Sequence, residues 1–255
     1  RPRAAPPGRR PAHRRDDPAA RHRRMWTART LQPRLSGDLE AARHQPRPDD
    51  LLTGLPAAAA TPDPDPGDAR RPDGVEIARI TKNLNQSVVL VAWPGPLSPA
   101  DNRVPRMMLK EVLNGQSGRL FESLRNRRSL CYNTGTLSTA GFGQGMCMGY
   151  VMTAPETEDQ AREALVAEVG VIATDPGGTE EFERARAKLL GNLLIGSQSN
   201  GSRVGRALRD RVYGRDANDL DDLVEKIAVC SPGEIREAAA RLIEPDRRFE
   251  VTLGP

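Results

Sequence analysis

Histidine is the residue of this chain that offers the widest chemistry, because it ligates zinc and activates Ser or Cys nucleophiles. The chain has three, His13, His22 and His44. Histidines of a helical zinc site stand about one turn apart, whereas these are separated by 9 and 22 residues. Neither H-x-x-E-H nor H-x-x-H occurs in the sequence. We therefore predict no metal site in this chain, and no Ser-His or Cys-His pair downstream of His44.

Cysteine is the next candidate for chemistry, and the chain has three, Cys131, Cys147 and Cys230. Their odd number and wide spacing fit neither a disulfide framework nor a C-x-x-C metal knuckle. We predict buried, reduced thiols, which favour a reducing compartment. No apolar run approaches the roughly 20 residues that span a bilayer, and no apolar core of a signal peptide follows the basic N-terminus. Together these features favour a cytoplasmic location without a membrane partner.

The net charge of +4 is unevenly distributed along the chain. Residues 1–50 hold 13 Arg and 6 Asp or Glu, a net of +7, which leaves a net of −3 for the remaining residues. Residues 1–34 are rich in Arg, Pro and Ala and show no hydrophobic period, so we predict a disordered basic arm. Such an arm can bind nucleic acid through its charge. However, the sequence has neither a nucleic-acid-binding motif nor an aromatic platform, which argues against a nucleic-acid partner.

Composition also marks the domain boundaries. Residues 35–74 form a degenerate segment that ends in a linker rich in Pro, Asp and Gly, AAAATPDPDPGDARRPDG. Such a linker should be extended. Apolar residues concentrate after Gly74, so the sequence predicts one folded domain over residues 75–255.

Hydrophobic periodicity predicts an α+β fold for this domain. The β-branched runs at Val75–Ile80 and Ser87–Trp93 predict a pair of strands joined by a turn through Asn83 and Asn85. Further strands are predicted at Cys131–Thr139, Gly145–Ala154 and Arg248–Leu253, and helices at 101–114, 119–127, 158–174, 179–197, 201–213, 218–228 and 232–243. We therefore expect a mostly antiparallel sheet with helices packed on one face.

One segment carries a specific pattern. Residues 118–132 read GRLFESLRNRRSLCY, which resembles the S-R-L-F-x-x-L-R-x-x-x-x-L-x-Y segment in the C-terminal, zinc-free domain of the pitrilysin/insulinase-type metallopeptidases. Leu124-Arg125 falls at the family offset, and Tyr132 follows seven residues after Arg125. The resemblance extends over most of residues 75–255, through Asn85-Gln86-Ser87, the T-x-x-F-E-R-A-R helix start at Thr179 and the closing Gly-Pro.

This resemblance implies a fold, a partner and a site. The fold is a half-clamshell that faces a zinc-bearing peptidase domain or subunit, which carries the H-x-x-E-H motif absent here. Arg125 would hold backbone carbonyls of a peptide substrate. Tyr132 would donate a hydrogen bond to the oxyanion that forms on the scissile carbonyl. The chain itself is then expected to bind no cofactor, to take its zinc chemistry from the partner and to cleave no peptide alone.

Other interpretations remain open. An Arg at a helix end is often a solvated charge, and a Tyr in a strand often only packs its ring. Proteins resembling the core subunits of respiratory cytochrome bc complexes keep this fold in a structural role, so a non-catalytic scaffold is the alternative function. Arg119, Arg127 and Arg128 are interpreted as surface charges.

Overall fold

The computed structural model describes residues 40, 50, 53–55, 72–95, 103–140, 145–175, 177–215 and 220–255. The arm predicted over residues 1–34, and most of the segment predicted over residues 35–74, lie outside the described residues. The domain predicted over residues 75–255 is described except for three short gaps and Pro176.

The described residues contain five strands, which form one sheet in the order β1-β5-β2-β4-β3. The strands are β1 (Val75–Thr81), β2 (Ser87–Gly95), β3 (Asn133–Ala140), β4 (Gly145–Thr153) and β5 (Arg248–Gly254). β1 and β5 are parallel, and the other three neighbouring pairs are antiparallel. The expected mostly antiparallel sheet is therefore confirmed.

The expected pairing of the first two strands is wrong, because β5 lies between β1 and β2. The connection KNLNQ between them offers no Asn-Gly or Asp-Gly pair that would enforce a tight hairpin. Six of the seven β1 residues are exposed, as suits an edge strand, whereas β5 buries alternate residues on one face. Burial thus favours β5 in the interior position and leaves β1 at the edge.

The helices follow the predicted periods closely. They are α1 (Arg103–Leu113), a π-helix (Phe121–Arg127), a 3-10 turn (Pro155–Thr157), α2 (Glu158–Val171), α3 (Thr179–Gly196), α4 (Asn200–Val212), α5 (Leu220–Val229) and α6 (Pro232–Leu242). The start of α6 has a complete capping box between Ser231 and Glu234, which satisfies two backbone donors that a helix start leaves unpaired. Each predicted helix is confirmed to within a few residues.

The helices bury one face of the sheet. Val89, Val91 and Val151 of this face have no exposed surface, and Leu165 of α2 is equally buried beside them. The buried Glu250 of β5 also lies on this face, where it accepts hydrogen bonds from Arg162 of α2 at 3.0 Å and from Arg248 at 2.7 Å. A buried carboxylate with two guanidinium partners is a satisfied charge, so this cluster fixes α2 on the sheet.

The opposite face of the sheet is apolar and only half-covered. Pairing brings Val88 beside Met152 and Leu253, and Ala92 beside Met148 and Phe249. Side chains of this face remain partly exposed, including Ile80 at 49% and Leu137 at 50%. No described helix therefore buries this surface, which we name the open sheet face.

Candidate functional site

The site is anchored at the end of α1, where the amide of Asn114 occupies the outer backbone edge of β3. Its Nδ2 donates to the carbonyl oxygen and to Oγ1 of Thr136, both at 2.9 Å. The Thr136 N–H donates in return to Asn114 Oδ1 at 2.5 Å. Gly135 leaves room for this contact, because a Cβ there would lie 2.7 Å from the same oxygen. The side-chain amide thus takes the place of a neighbouring strand and fixes the start of the segment that carries Arg125.

That segment folds as the π-helix Phe121–Arg127. Leu120 and Leu124 are completely buried beneath it, whereas Arg125 is exposed. The inward leucines and outward arginine follow the apolar spacing of the GRLFESLR sequence. π-helical turns are rare and occur frequently at functional sites.

Arg119 holds the π-helix against the rest of the domain. Its Nε and Nη2 donate to the two carboxylate oxygens of Glu181 at 3.1 and 2.9 Å, and its Nη1 donates to the Asp175 carbonyl at 2.8 Å. The interpretation of Arg119 as a surface charge is wrong, since its side chain is only 12% exposed. The pairing spans 62 residues of sequence, so no local pattern reveals it. Arg127 and Arg128 are exposed as expected.

A tight turn after the π-helix sets the position of the Arg125 guanidinium. Ser129 adopts a left-handed conformation with φ of 54°, which is costly for a residue with a Cβ. The N–H groups of Ser129 and Leu130 donate to the carbonyls of Arg125 and Leu124 at 3.1 and 2.8 Å. The chain therefore doubles back, and Arg125 Nη1 donates to the Cys131 carbonyl at 3.0 Å.

Tyr132 follows directly and starts the approach to β3. Its N–H donates to the Met152 carbonyl at 3.2 Å, which extends the β3–β4 ladder by one residue. Its hydroxyl contacts Met152 Sδ at 3.1 Å, and the residue is 51% exposed. A thioether is a weak hydrogen-bond acceptor, so the phenol keeps the capacity to donate to a stronger one.

Arg125 and Tyr132 are brought to the same short stretch of backbone. The guanidinium binds the carbonyl of the peptide bond that joins Cys131 to Tyr132. No hydrogen bond between the two side chains, and no second hydrogen bond from the Arg125 guanidinium, occurs within the described part of the chain. The arrangement offers two exposed donors with unused capacity, which is suited to binding carbonyl oxygens.

The cysteines contribute no nucleophile to this site. All three are free and buried. Burial raises the pKa of Cys131, against the opposing effect of the nearby Arg125 charge. Burial also raises the pKa of Cys147 to about 11, and burial together with Glu234 raises that of Cys230 to about 11. The prediction of buried thiols is confirmed. Because the thiolate is the reactive form, their raised pKa values disfavour reaction at neutral pH.

The described residues do not fit a zinc ion. Zinc is held by three or four converging His, Cys or carboxylate ligands, and no group of three or more such residues within 72–95, 103–140, 145–175, 177–215 or 220–255 is arranged to do this. The three histidines lie outside the described residues. Among the helices described, none is long and apolar enough to cross a membrane.

Comparison with known proteins gives one consistent result. A family model described as "Peptidase M16 inactive domain" matches residues 15–189. An uncharacterized zinc protease of Streptomyces coelicolor is 25% identical over 178 residues, which cover 69% of this chain and 38% of that protein. This chain therefore spans well under half of that relative.

Solved structures agree on the fold. The peptidase M16 inactive domain from Pseudomonas fluorescens superposes with a TM-score of 0.70 at 18% identity, over 81% of this chain and 48% of that one. The inactive peptidase domain of a zinc protease from Bordetella parapertussis superposes with a TM-score of 0.58 at 20% identity, over 68% of this chain and 94% of that one.

Proposed function

Because the chain belongs to the family of M16 peptidase inactive domains, we propose that it is the substrate-binding, non-zinc half of a zinc peptidase. In this proposal, Arg125 and Tyr132 contribute to an active site whose metal comes from another domain or subunit. The observation that carries the proposal is the exposure of both side chains beside the Cys131–Tyr132 peptide bond, with hydrogen-bonding capacity left unused.

Each side chain has a role that follows from its donors. The Arg125 guanidinium has five N–H groups in a fixed fork, and its bond to the Cys131 carbonyl fixes its position while leaving other donors for a substrate carbonyl. The Tyr132 phenol exchanges a weak sulfur acceptor for an oxygen on which negative charge develops, so its contribution is largest in the transition state. The partner's zinc would supply the Lewis acid.

The open sheet face supports the existence of a partner. Contiguous apolar surface on a soluble protein commonly marks an interaction site, and this face is apolar across β5, β2 and β4. The chain also spans only 38% of its Streptomyces relative and 48% of the Pseudomonas chain. Those two proteins are therefore long enough to contain a second domain of similar size. We propose a zinc-bearing peptidase domain or subunit as the occupant. The buried free thiols support a reducing compartment, and we propose the cytoplasm.

The test is the turnover of the assembled peptidase. A tagged full chain is used to isolate its complex from the source cells, and the complex is assayed for bound zinc and for cleavage of a fluorogenic peptide. Tyr132→Phe is expected to lower kcat about 100-fold, because it removes one donor to the developing charge. Tyr150→Phe removes a hydroxyl from a neighbouring strand and serves as the matched control. Equal turnover of the two variants, or a complex without zinc, would refute the proposal.

A scaffold role is the second candidate. It is favoured by the internal contacts of both side chains, Arg125 with the Cys131 carbonyl and Tyr132 with Met152, which suffice for purely structural residues. In that case Tyr132→Phe changes the stability of the complex and leaves any cleavage by the partner unaltered. The kcat comparison therefore separates the two functions.

A further inference from the structure

A second surface feature lies between α1, α3 and α4, away from the Arg125/Tyr132 pair. Two adjoining cavities of about 320 and 450 Å³ share Arg103, Met107 and Arg209 in their walls and so form one groove. Cavities of this size match small-ligand sites. We name this feature the basic groove.

The charge of the groove is strongly one-sided. Its only acid among the described residues is Asp210, against six basic side chains, which leaves a net of +5. The basic residues are Arg103, Arg106, Lys110, Arg206, Arg209 and Arg215. Asp210 is buried at 1% exposure and is paired with Arg103 at 3.6 Å and with Arg215 at 3.0 Å. Asp210 therefore neutralises and positions Arg103 and Arg215.

Two of the cations are available to a ligand. Lys110 and Arg209 are exposed, and neither side chain forms a hydrogen bond or ion pair within the described residues. They project from different helices, α1 and α4, onto the same cavity of about 320 Å³. Lys110 and Arg209 are like charges that line one cavity and are not paired with its acid, Asp210, so a ligand carboxylate bound there would reduce their repulsion.

We propose that the basic groove is a substrate subsite that binds an acidic side chain of an extended peptide. This inference rests on the proposed function and adds a substrate preference to it. β3 connects the two places, since it begins beside Tyr132 and its Ser138 lines the groove. Tyr132 and Ser138 are six residues apart, so at about 3.3 Å per residue the separation is about 20 Å. The favoured acidic residue therefore lies about six or more positions from the scissile bond.

A peptide fits the groove better than a nucleic acid does. Duplex DNA is read by a helix or β-ribbon that projects from the protein into the major groove, whereas this feature is a recess in the protein surface. Single strands bind through aromatic side chains on which bases stack. The aromatic residue that lines the groove, Tyr213, has the Arg215 guanidinium over its ring at 5.1 Å. The apolar walls at Met107 and Leu193 instead suit the aliphatic part of a Glu side chain.

The experiment measures peptide binding without metal, partner or cleavage. Fluorescence anisotropy of a labelled Glu-rich dodecapeptide is recorded with the full chain at low salt, next to the matching Gln-rich peptide. The Lys110→Gln/Arg209→Gln variant is expected to raise Kd about tenfold, since each exposed ion pair contributes up to about 1 kcal/mol and 1.4 kcal/mol is tenfold. Arg236→Gln/Arg241→Gln removes the same charge from the exposed side of α6 and is the matched control.

The inference holds if the Glu peptide binds more tightly than the Gln peptide and only the groove variant weakens it. It is overturned if the two variants weaken binding equally, if the Gln peptide binds as well, or if a DNA duplex displaces the peptide at equal concentration. Tyr132→Phe is expected to leave this Kd unchanged. A failure here is therefore distinct from a failure of the proposed catalytic role, which the kcat comparison tests.

Discussion

Replacing Asn114 with Ala is expected to destabilise the domain mainly through the hydrogen bonds that it removes, and only slightly through lost apolar contact. The substitution deletes both hydrogen bonds that Nδ2 donates to Thr136 and the one that Oδ1 accepts from the Thr136 N–H. Thr136 is only 4% exposed, so water does not readily replace these partners. The backbone N–H and C=O of Thr136 are left without partners in a buried place.

The magnitude follows from that accounting. A buried polar group left unsatisfied costs about 1–3 kcal/mol, and two such groups are created. Partial access of water through the vacated space reduces the sum, so we expect the free energy of unfolding to fall by about 3 kcal/mol. The variant Asn114→Asp keeps one acceptor for the Thr136 N–H but sets a carboxylate against the Thr136 carbonyl, and it should be destabilised as well.

The assay is urea unfolding of the full chain, followed by circular dichroism. Asn133→Ala is the control, because Asn133 lies in the same strand, is exposed and has no side-chain hydrogen bond within the described residues. Its effect should stay within about 0.5 kcal/mol. If Asn114→Ala and Asn133→Ala unfold at the same urea concentration, the amide does not secure the edge of β3 and the reasoning fails.

Two further predictions concern Gly135 and the buried thiols. Gly135→Ala is expected to cost about 1–3 kcal/mol in the same assay, because its Cβ would meet Asn114 Oδ1 at 2.7 Å and Tyr150 Oη at 3.1 Å; an unchanged midpoint would contradict this. Since burial raises the pKa of Cys147 from 9.0 to about 11, the unfolded state loses its proton first as pH rises. The contribution of this thiol to the free energy of unfolding should therefore be constant below about pH 9 and fall between about pH 9 and 11. Cys147→Ala should reduce that fall, and an identical pH profile for the variant would rule out the thiol as its cause.

The sequence predicts most elements of this fold because their apolar periods are clear. Ala161, Leu165 and Val169 lie on one face of α2, Ile172 follows at its C-terminal end, and all four are fully buried. Strand order cannot be predicted in this way, because it depends on which strand edges pair once distant parts of the chain have come together. The insertion of β5 between β1 and β2 leaves no trace in the local sequence, and the exposure of β1 becomes visible only in the folded structure.

The candidate site divides in the same way. The resemblance of segment 118–132 to a known pattern identifies Arg125 and Tyr132, and their catalytic role remains a prediction. No local pattern indicates the roles of Asn114 and Arg119, because their partners Thr136 and Glu181 are distant in sequence. The same holds for the basic groove. Lys110 and Arg209 belong to helices that meet only in the folded chain, so charge counting along the sequence does not bring them together.

The place of β5 in the sheet also determines when this domain can finish folding. Among the described strands, β5 is the last in sequence order, and it is the only neighbour of β1 and one of the two neighbours of β2. During synthesis, the early strand β1 must therefore wait, unpaired and largely apolar, until nearly the whole domain has emerged. Long-range pairing of this kind slows folding and exposes strand edges to aggregation. A nascent chain that stalls before residue 248 would have an incomplete sheet. Its exposed strand edges would be a binding site for chaperones.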